Sequence, residues 1–362
     1  MKHRVGTPRD VAYHRKIALE VGACARPSRS HVQPQGILIT GDIPMKRSFV
    51  AAFLFLLAGA VTAQPWPNQS LRLVVPFAPG GGVDTMARIL AQPLAQRLGQ
   101  SVAVDNRGGA GGNIGTEVAA RSKPDGYTIL MASVSPNAVN VHLYSKLPFD
   151  PIRDFEPVIY FSQVPNILVV AAGSPYNSAR ELIDFARANP NKVSYGSAGV
   201  GSSHHLAGQM LATHTGVQLM HVPYRGAGMA HSDLLAGTIT LMMDTTAPVS
   251  FVAAGKMKAL AVAADKRSPA FPQLPTFSEL GIKGVSMSAW YGVMAPAGTP
   301  REIVDRLNTE INAVLKDPAV VKRLNDLGAD IGGGSAQDFG RFVEAEIKRY
   351  AEVVKAAGAK LD

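Results

Sequence analysis

Leu71-Arg72-Leu73-Val74-Val75 is a compact β-branched run that stops at Pro76 and three glycines, and a helical period follows at once. Met86, Ile89, Leu90, Leu94 and Leu98 recur at three- and four-residue steps, the signature of one buried helix face. A strand fed through a glycine turn into a helix leaves few folds open. Residues 101–104 form the next short strand and 114–121 the next helical segment. Pro124-Asp125-Gly126 then makes a turn before a strand at 127–131. Strand, helix, strand, helix, strand at this spacing predicts a parallel sheet with helices on its faces.

The alternation restarts further on. Residues 167–170 read as a strand and 178–188 as a helix, with Ser178 and Glu181 at capping-box spacing. A strand at 193–195 leads through a Gly/Ser loop into a helix at 203–213, and 218–222, 239–243 and 260–263 read as three more buried strands. From Pro300, placed as a first helical residue, the chain turns helical. One face there is Ile303, Leu307, Ile311, Val314 and Leu315; another is Phe339, Phe342, Val343, Ile347 and Tyr350. With no tandem repeat and no long linker, the pattern predicts two α/β lobes with a helical tail.

The first sixty-three residues behave differently. The run from Phe49 to Val61 is strongly apolar but shorter than the roughly 20 residues a bilayer span needs. It follows Lys46-Arg47 and ends in Val61-Thr62-Ala63, the pattern of a secretory signal peptide over 45–63. Met45 then reads as the true start, 1–44 as a mis-assigned upstream extension, and Gln64 as the first mature residue, so the product is exported to the periplasm. Charge divides at the same place. Residues 1–63 hold nine Lys/Arg and three Asp/Glu, so +6 of the net +9 lies there and +3 in the rest. A near-neutral body offers no footprint for nucleic acid. The only cysteine, Cys24, also lies upstream, which removes disulfides, thiol nucleophiles and thiolate metal sites from the body.

Other chemistries fail on detail. Gly80-x-Gly82, Gly109-x-Gly111, Gly199-x-Gly201 and Gly226-x-Gly228 lack the third glycine of a dinucleotide fingerprint, and none leads into the Lys-Ser/Thr of a P-loop. Six histidines remain (142, 204, 205, 214, 221 and 231), with no H-E-x-x-H, and adjacent His204 and His205 diverge on a helix, so no metal or other cofactor is expected. A nucleophile elbow is missing too. What recurs is strand, small residues, helix: Pro79-Gly80-Gly81-Gly82, Ser133-Val134-Ser135-Pro136-Asn137, and Ser197 to Ser203. Such loops either make tight turns and caps or receive an anion at unpaired helix-start N–H groups. One helix start gives an anion at most about 2 kcal/mol. Micromolar binding needs about 8. Several loops closing together would be required.

The strings VPFAPGGGVDTMAR (75–88), VDNRGGAGGNIGTEVAARSKPDGYTIL (104–130), LYSKLPFDPIRDFEPV (143–158), SYGSAGVGSSHHLAG (194–208), HVPYRGAGMAHSDLLAG (221–237) and WYGVMAPAGTPREIVDRLN (290–308) resemble the extracytoplasmic solute receptors of tripartite tricarboxylate transporters, the Bug receptors. The likeness runs over residues 66–362. It implies a type II periplasmic binding protein, α/β, with two Rossmann-like lobes joined by crossing strands around a ligand cleft. Lobe 1 would be 66–166 plus 291–362 and lobe 2 167–290. It also implies a carboxylate held at Pro79, Gly80, Gly81, Gly82 and Asp84, opposed by Ser133, Ser135, Gly201, Ser202 and His205, with Tyr224 and Asp244 on the second wall. Plainer roles stay open: Asp84 as a first-turn acid, His205 as a hydrogen-bonded loop histidine, Tyr224 as packing. The wall Met242-Met243-Asp244-Thr245-Thr246 departs from the aromatic-plus-Asn pattern of the family, which leaves the solute's identity open.

The expectation is a monomeric solute-binding protein, not an enzyme. It captures a small organic carboxylate (a di- or tricarboxylate, an amino acid or an aromatic acid) and delivers it to integral membrane transporter subunits or a sensor. A secreted hydrolase on a two-lobed scaffold is the alternative. A DNA-binding regulator lacks the helix-turn-helix segment it would need.

Overall fold

The structure of the protein is a computed structural model that describes residues 66–356. The expected extension (1–44), signal peptide (45–63) and processing point at Gln64 lie outside the described residues. Strand β1 (Leu71–Val75) leads into α1 (Gly82–Leu98), β2 (Val102–Asn106), α2 (Asn113–Ala120) and β3 (Thr128–Ser133). β1 lies between β2 and β3, parallel to both, with Leu73 opposite Val104 and Ile129. This is the parallel unit the sequence predicts, with β2 and β3 shifted one or two residues toward the C-terminus. A π-type turn at Ser135–Val139 and the single turn α3 (Asn140–Leu143) follow, and then β4 (Phe155–Ala171).

At 17 residues, β4 is far longer than the strand expected at 167–170. Pro157 and Pro165 hid its first part, since proline donates no ladder hydrogen bond. The register slips just after Pro157, and Pro165 pairs with Ser288 at the last position shared with β9 (Ser288–Pro296). From Asn166 onward the partners are β8 (Met257–Ala263) and β7 (Leu241–Asp244). A second connection runs alongside: Asn166 N donates to Met287 O (2.9 Å) and Met287 N to Ala263 O (2.8 Å).

Beyond that crossing come α4 (Ala179–Ala188), β5 (Val193–Ser197), α5 (Ser203–Thr215), β6 (Leu219–Pro223), α6 (Ala227–Leu235), then β7, α7 (Ala247–Ala253) and β8. β5 pairs in parallel with β6 and β7, giving the path β2-β1-β3-β9-β4-β7-β5-β6. Ser178 caps α4 as expected, its hydroxyl accepting from Glu181 N, while the Glu181 carboxylate turns to Asn177 N rather than to Ser178. Pro300 proves to be the residue before the helix, in extended conformation, and α8 (Arg301–Val314) begins at Arg301. α9 (Pro318–Asp326), the two-residue β10 (Asp330–Ile331) and α10 (Ala336–Ala356) complete the tail.

The buried faces match the period. Ile303, Leu307, Ile311, Val314 and Leu315 of the α8 region are buried, as are Phe339, Val343 and Tyr350 of α10. Trp290 of β9 meets Phe339 and Phe342 edge-on at 6.0 and 5.5 Å, which fastens α10 to the sheet. A smaller apolar cluster gathers Ile167, Val169, Ala198, Ala227 and Met242, and Phe77 from the loop after β1 joins it. That aromatic ring already ties the first glycine loop to the far side of the crossing strands. No helix of the described residues is long and apolar enough to cross a membrane.

Candidate functional site

Parallel sheets place their βα loops at the carboxyl ends of the strands, and here those loops from the two halves meet face to face. Ala78 N reaches Arg225 O at 3.4 Å. Gly80 sits at φ +85, a backbone region that favours glycine, and a Cβ there would make only an ordinary 3.7 Å contact with the Gly228 Cα. A side chain at Gly228 would collide with Pro79 O. Glycine is needed at Gly80 for its positive φ and at Gly228 because backbone meets backbone.

The loops line a narrow cavity. Its walls include Phe77, Gly81, Gly82 and Val83 from the start of α1, Ser133 to Ser135 after β3, Ser202 to His204 at the start of α5, Ala227 at the start of α6, and Tyr291 of β9. None is Lys, Arg, Asp or Glu. What the walls offer an anion is backbone. The first N–H groups of a helix have no intrahelical acceptor. α1 and α6 begin at Gly81 and Gly226, neither of which supplies a capping side chain. Each helix start carries about half a positive charge. Two buried side-chain atoms of the walls, Ser133 Oγ and His204 Nδ1, have no hydrogen-bond partner. Buried polar atoms are normally paired, so both have unmet hydrogen-bonding capacity.

Behind His204 lies a buried triad. His204 Nε2 and His231 Nε2 reach the two carboxylate oxygens of Asp244 at 3.0 and 2.7 Å, and Thr245 N donates to the Asp244 carboxylate at 2.8 Å. Burial opposes the charge of Asp244, but His231 and the two imidazole donors outweigh it and hold the carboxyl well below the usual range. Burial likewise opposes protonation of His231, and the Asp244 charge overcomes it, raising His231 above an ordinary histidine.

A sequence profile described as tripartite tricarboxylate transporter family receptor matches residues 86–359. The chain belongs to this receptor family. It is 38% identical to protein BugT of Bordetella pertussis over 307 residues, 84% of this chain and 94% of that one. An R. palustris protein solved with adipate shares 41% identity at a TM-score of 0.79, covering 82% of this chain and all of its own. MatC from Rhodopseudomonas palustris, solved with malate, shares 32% at a TM-score of 0.76, covering 80% of this chain and all of its own. The receptor has their α/β fold of two lobes joined by crossing strands, the fold of the periplasmic binding proteins.

Within this receptor the expected ligand residues separate into three groups. Gly81, Gly82, Ser133, Ser135 and Ser202 come together around the cavity. Pro79 and Gly80 instead line a wider, open groove on the outer side of the same loop. The remaining five are absent from the cavity wall. Asp84 turns its carboxylate to Gly80 N (3.0 Å), Arg88 Nε (2.9 Å) and Asn106 Nδ2 (3.0 Å), which sets the glycine loop's shape. Gly201 sits against Asn140, and Tyr224 donates its hydroxyl to Asp233 at 2.5 Å. Asp244 is wholly engaged by its histidines and Thr245. His205 accepts from Gly201 N at 3.2 Å, while its neighbour His204, considered from sequence only as a metal ligand, is the histidine that reaches the cavity. Neither serine that would serve a hydrolase is activated. Ser133 Oγ has no partner, and Ser202 Oγ donates to Gly199 O and accepts from His205 N as the α5 cap.

His205 has a consequence for stability. It stacks on His221 at 4.2 Å, and His221 in turn on Tyr195 at 4.8 Å. Burial lowers His205 to about 4; burial and the proximity of His205 lower His221 to about 3. Both histidines are therefore neutral when folded and take up protons more readily when unfolded. Their stabilisation is full above about pH 6.5 and is lost as pH falls toward the folded values. By pH 4.5 His205 alone withdraws about 2–3 kcal/mol, with a smaller share from the half-buried His221. Thermal melts should fall by several degrees between pH 6.5 and 4.5, and His205→Gln should flatten that slope. An unchanged slope in the variant would place the acid sensitivity elsewhere.

Proposed function

We propose that the protein captures a small organic carboxylate in the periplasm, as a monomer and without chemical change. It then presents the solute to integral membrane subunits of a tripartite transporter or to a sensor. Export by the signal peptide at 45–63 belongs to the same reading, as does the division into lobes at 66–166 plus 291–362 and 167–290. One observation carries it: a cavity without a lysine or arginine in its wall, lying between uncapped helix starts from both sides of the crossing strands. Such a site attracts an anionic group yet holds no cation that would bind it irrespective of shape.

The carboxylate is bound by N–H groups at Gly81 and Gly82, with Ser133, Ser135 and Ser202 opposite. Pro79, Gly80 and Asp84 shape the first loop. Gly201, His205, Tyr224 and Asp244 hold the second wall. The relatives solved with adipate and malate support the ligand class. Three helix starts provide a few kcal/mol at most, so the rest of the affinity comes from closure and from apolar contact with Phe77, Val83, Val134 and Tyr291.

Calorimetry against mono- and dicarboxylates, with mass spectrometry of the recovered solute, tests the reading. Saturable binding of an acid recovered unchanged is the expected result. Turnover of any acid, or binding of none, would overturn it.

A further inference from the structure

We propose that His204 determines specificity by binding a second acidic group of the solute and taking up one proton as it does so. This rests on the carboxylate reading of the cavity and adds to it a choice between diacids and monoacids. A carboxylate only accepts hydrogen bonds, so Asp244 fixes a proton on Nε2 of both His204 and His231. The other nitrogen of His204, Nδ1, is buried and unpartnered, and His204 lines the cavity. It is a bare lone pair when the ring is neutral and a donor when the ring is charged. A solute carboxylate facing the bare lone pair finds only repulsion; facing Nδ1–H it makes a charge-assisted bond.

Charge balance points the same way. The starts of α1, α5 and α6 together amount to roughly +1.5, and the Asp244–His231 pair is neutral by itself. One solute carboxylate is matched by these fixed charges. Two are not, and the deficit is met when His204 takes a proton from solvent, with Asp244 behind it to share the charge. The titratable groups on the neighbouring elements are otherwise engaged. From β9, Tyr291 faces the cavity with its hydroxyl directed to Thr245 Oγ1, and burial keeps the phenol neutral. On the other side of α5, His205 is neutral against His221 of β6 and Tyr195 of β5. At α1, Asp84 is turned away to Arg88 and Asn106. The far end of the triad, His231, borders the open groove, so the cluster is in contact with the side from which protons arrive.

The test is calorimetry of the purified protein with succinate, malate and adipate against butyrate and hexanoate, in buffers of low and high ionisation enthalpy. Each diacid that binds should take up about one proton per site at pH 7.5, and its affinity should fall by up to tenfold per pH unit above that. Monoacids should show neither effect. His204→Gln keeps an N–H donor toward Asp244 but cannot titrate, and it should abolish the proton uptake and reduce the diacid preference at least tenfold. Diacid binding without proton uptake, affinity that rises with pH, or a preference that survives His204→Gln overturns the proposal while leaving the carboxylate reading intact. Binding of no acid of either set overturns both. The wild-type heats decide the matter even where the variant folds poorly.

Discussion

Replacing Gly82 by alanine is expected to reduce carboxylate affinity by at least about 100-fold, or about 2.8 kcal/mol, whereas Gly81→Ala should reduce it less than about tenfold, or 1.4 kcal/mol. The two glycines are adjacent and both line the cavity, so composition predicts no difference between them. Geometry does. A Cβ on Gly81 would rest 3.5 Å from the Ala227 Cβ, an ordinary contact. A Cβ on Gly82 would run into the Tyr291 hydroxyl and lie 2.7 Å from Thr245 Oγ1. Neither neighbour can give way: both are fully buried, and Tyr291 is fixed in β9 opposite Ser133. The start of α1 must therefore back away from the cleft, taking its N–H groups out of hydrogen-bonding range, where such bonds weaken steeply. Tyr291 belongs to the strand paired with β3, on the same side as α1, so parting the two halves does not relieve this clash. The ligand-free variant should therefore also melt below wild type, by the equivalent of about 1–3 kcal/mol, and the ligand-induced rise should disappear. Wild-type affinity in Gly82→Ala would mean that the start of α1 is no part of the binding wall.

The contrast shows what a linear reading could reach. The loops themselves were legible: a β-branched run, a stop of small residues and a helical period are local signals, and Gly81, Gly82, Ser133, Ser135 and Ser202 do meet around one cavity. Asp84 illustrates a different limit. Its spacing to Arg88 is local, but the third partner, Asn106, comes from β2 and arrives only when the sheet forms. His204 was harder still. Nothing in its own segment distinguishes it from His205; the choice is made by Asp244, forty residues away, which reaches α5 from the end of β7. β4 and β9 escaped for opposite reasons. Two prolines interrupt the first, and the second is an unbroken buried run without the alternation that marks a half-exposed strand.

Asp244→Asn should be the most destabilising single substitution in the site, at about 3–5 kcal/mol, and on the order of 10 °C in melting temperature for a domain of this size. The carboxylate accepts three hydrogen bonds and faces one histidine held charged by it. An amide has one oxygen, and its NH₂ group meets an imidazole N–H donor head-on unless that ring changes tautomer. His231 is then left buried without its counter-charge. The deficit has a defined pH window. Asp244 titrates lower in the folded state, so its contribution is full above about pH 4 and fades only in stronger acid. His231 titrates higher when folded, so its contribution is full below about pH 6.5 and fades as pH rises through its folded value. Wild type should therefore exceed Asp244→Asn most between about pH 5 and 6.5, with the gap narrowing above about pH 8. Denaturant unfolding of both proteins across that range measures it directly. A gap below about 1 kcal/mol, or one that does not change with pH, would mean that the triad carries no buried ion pair, and that the wall behind His204 is held by packing alone.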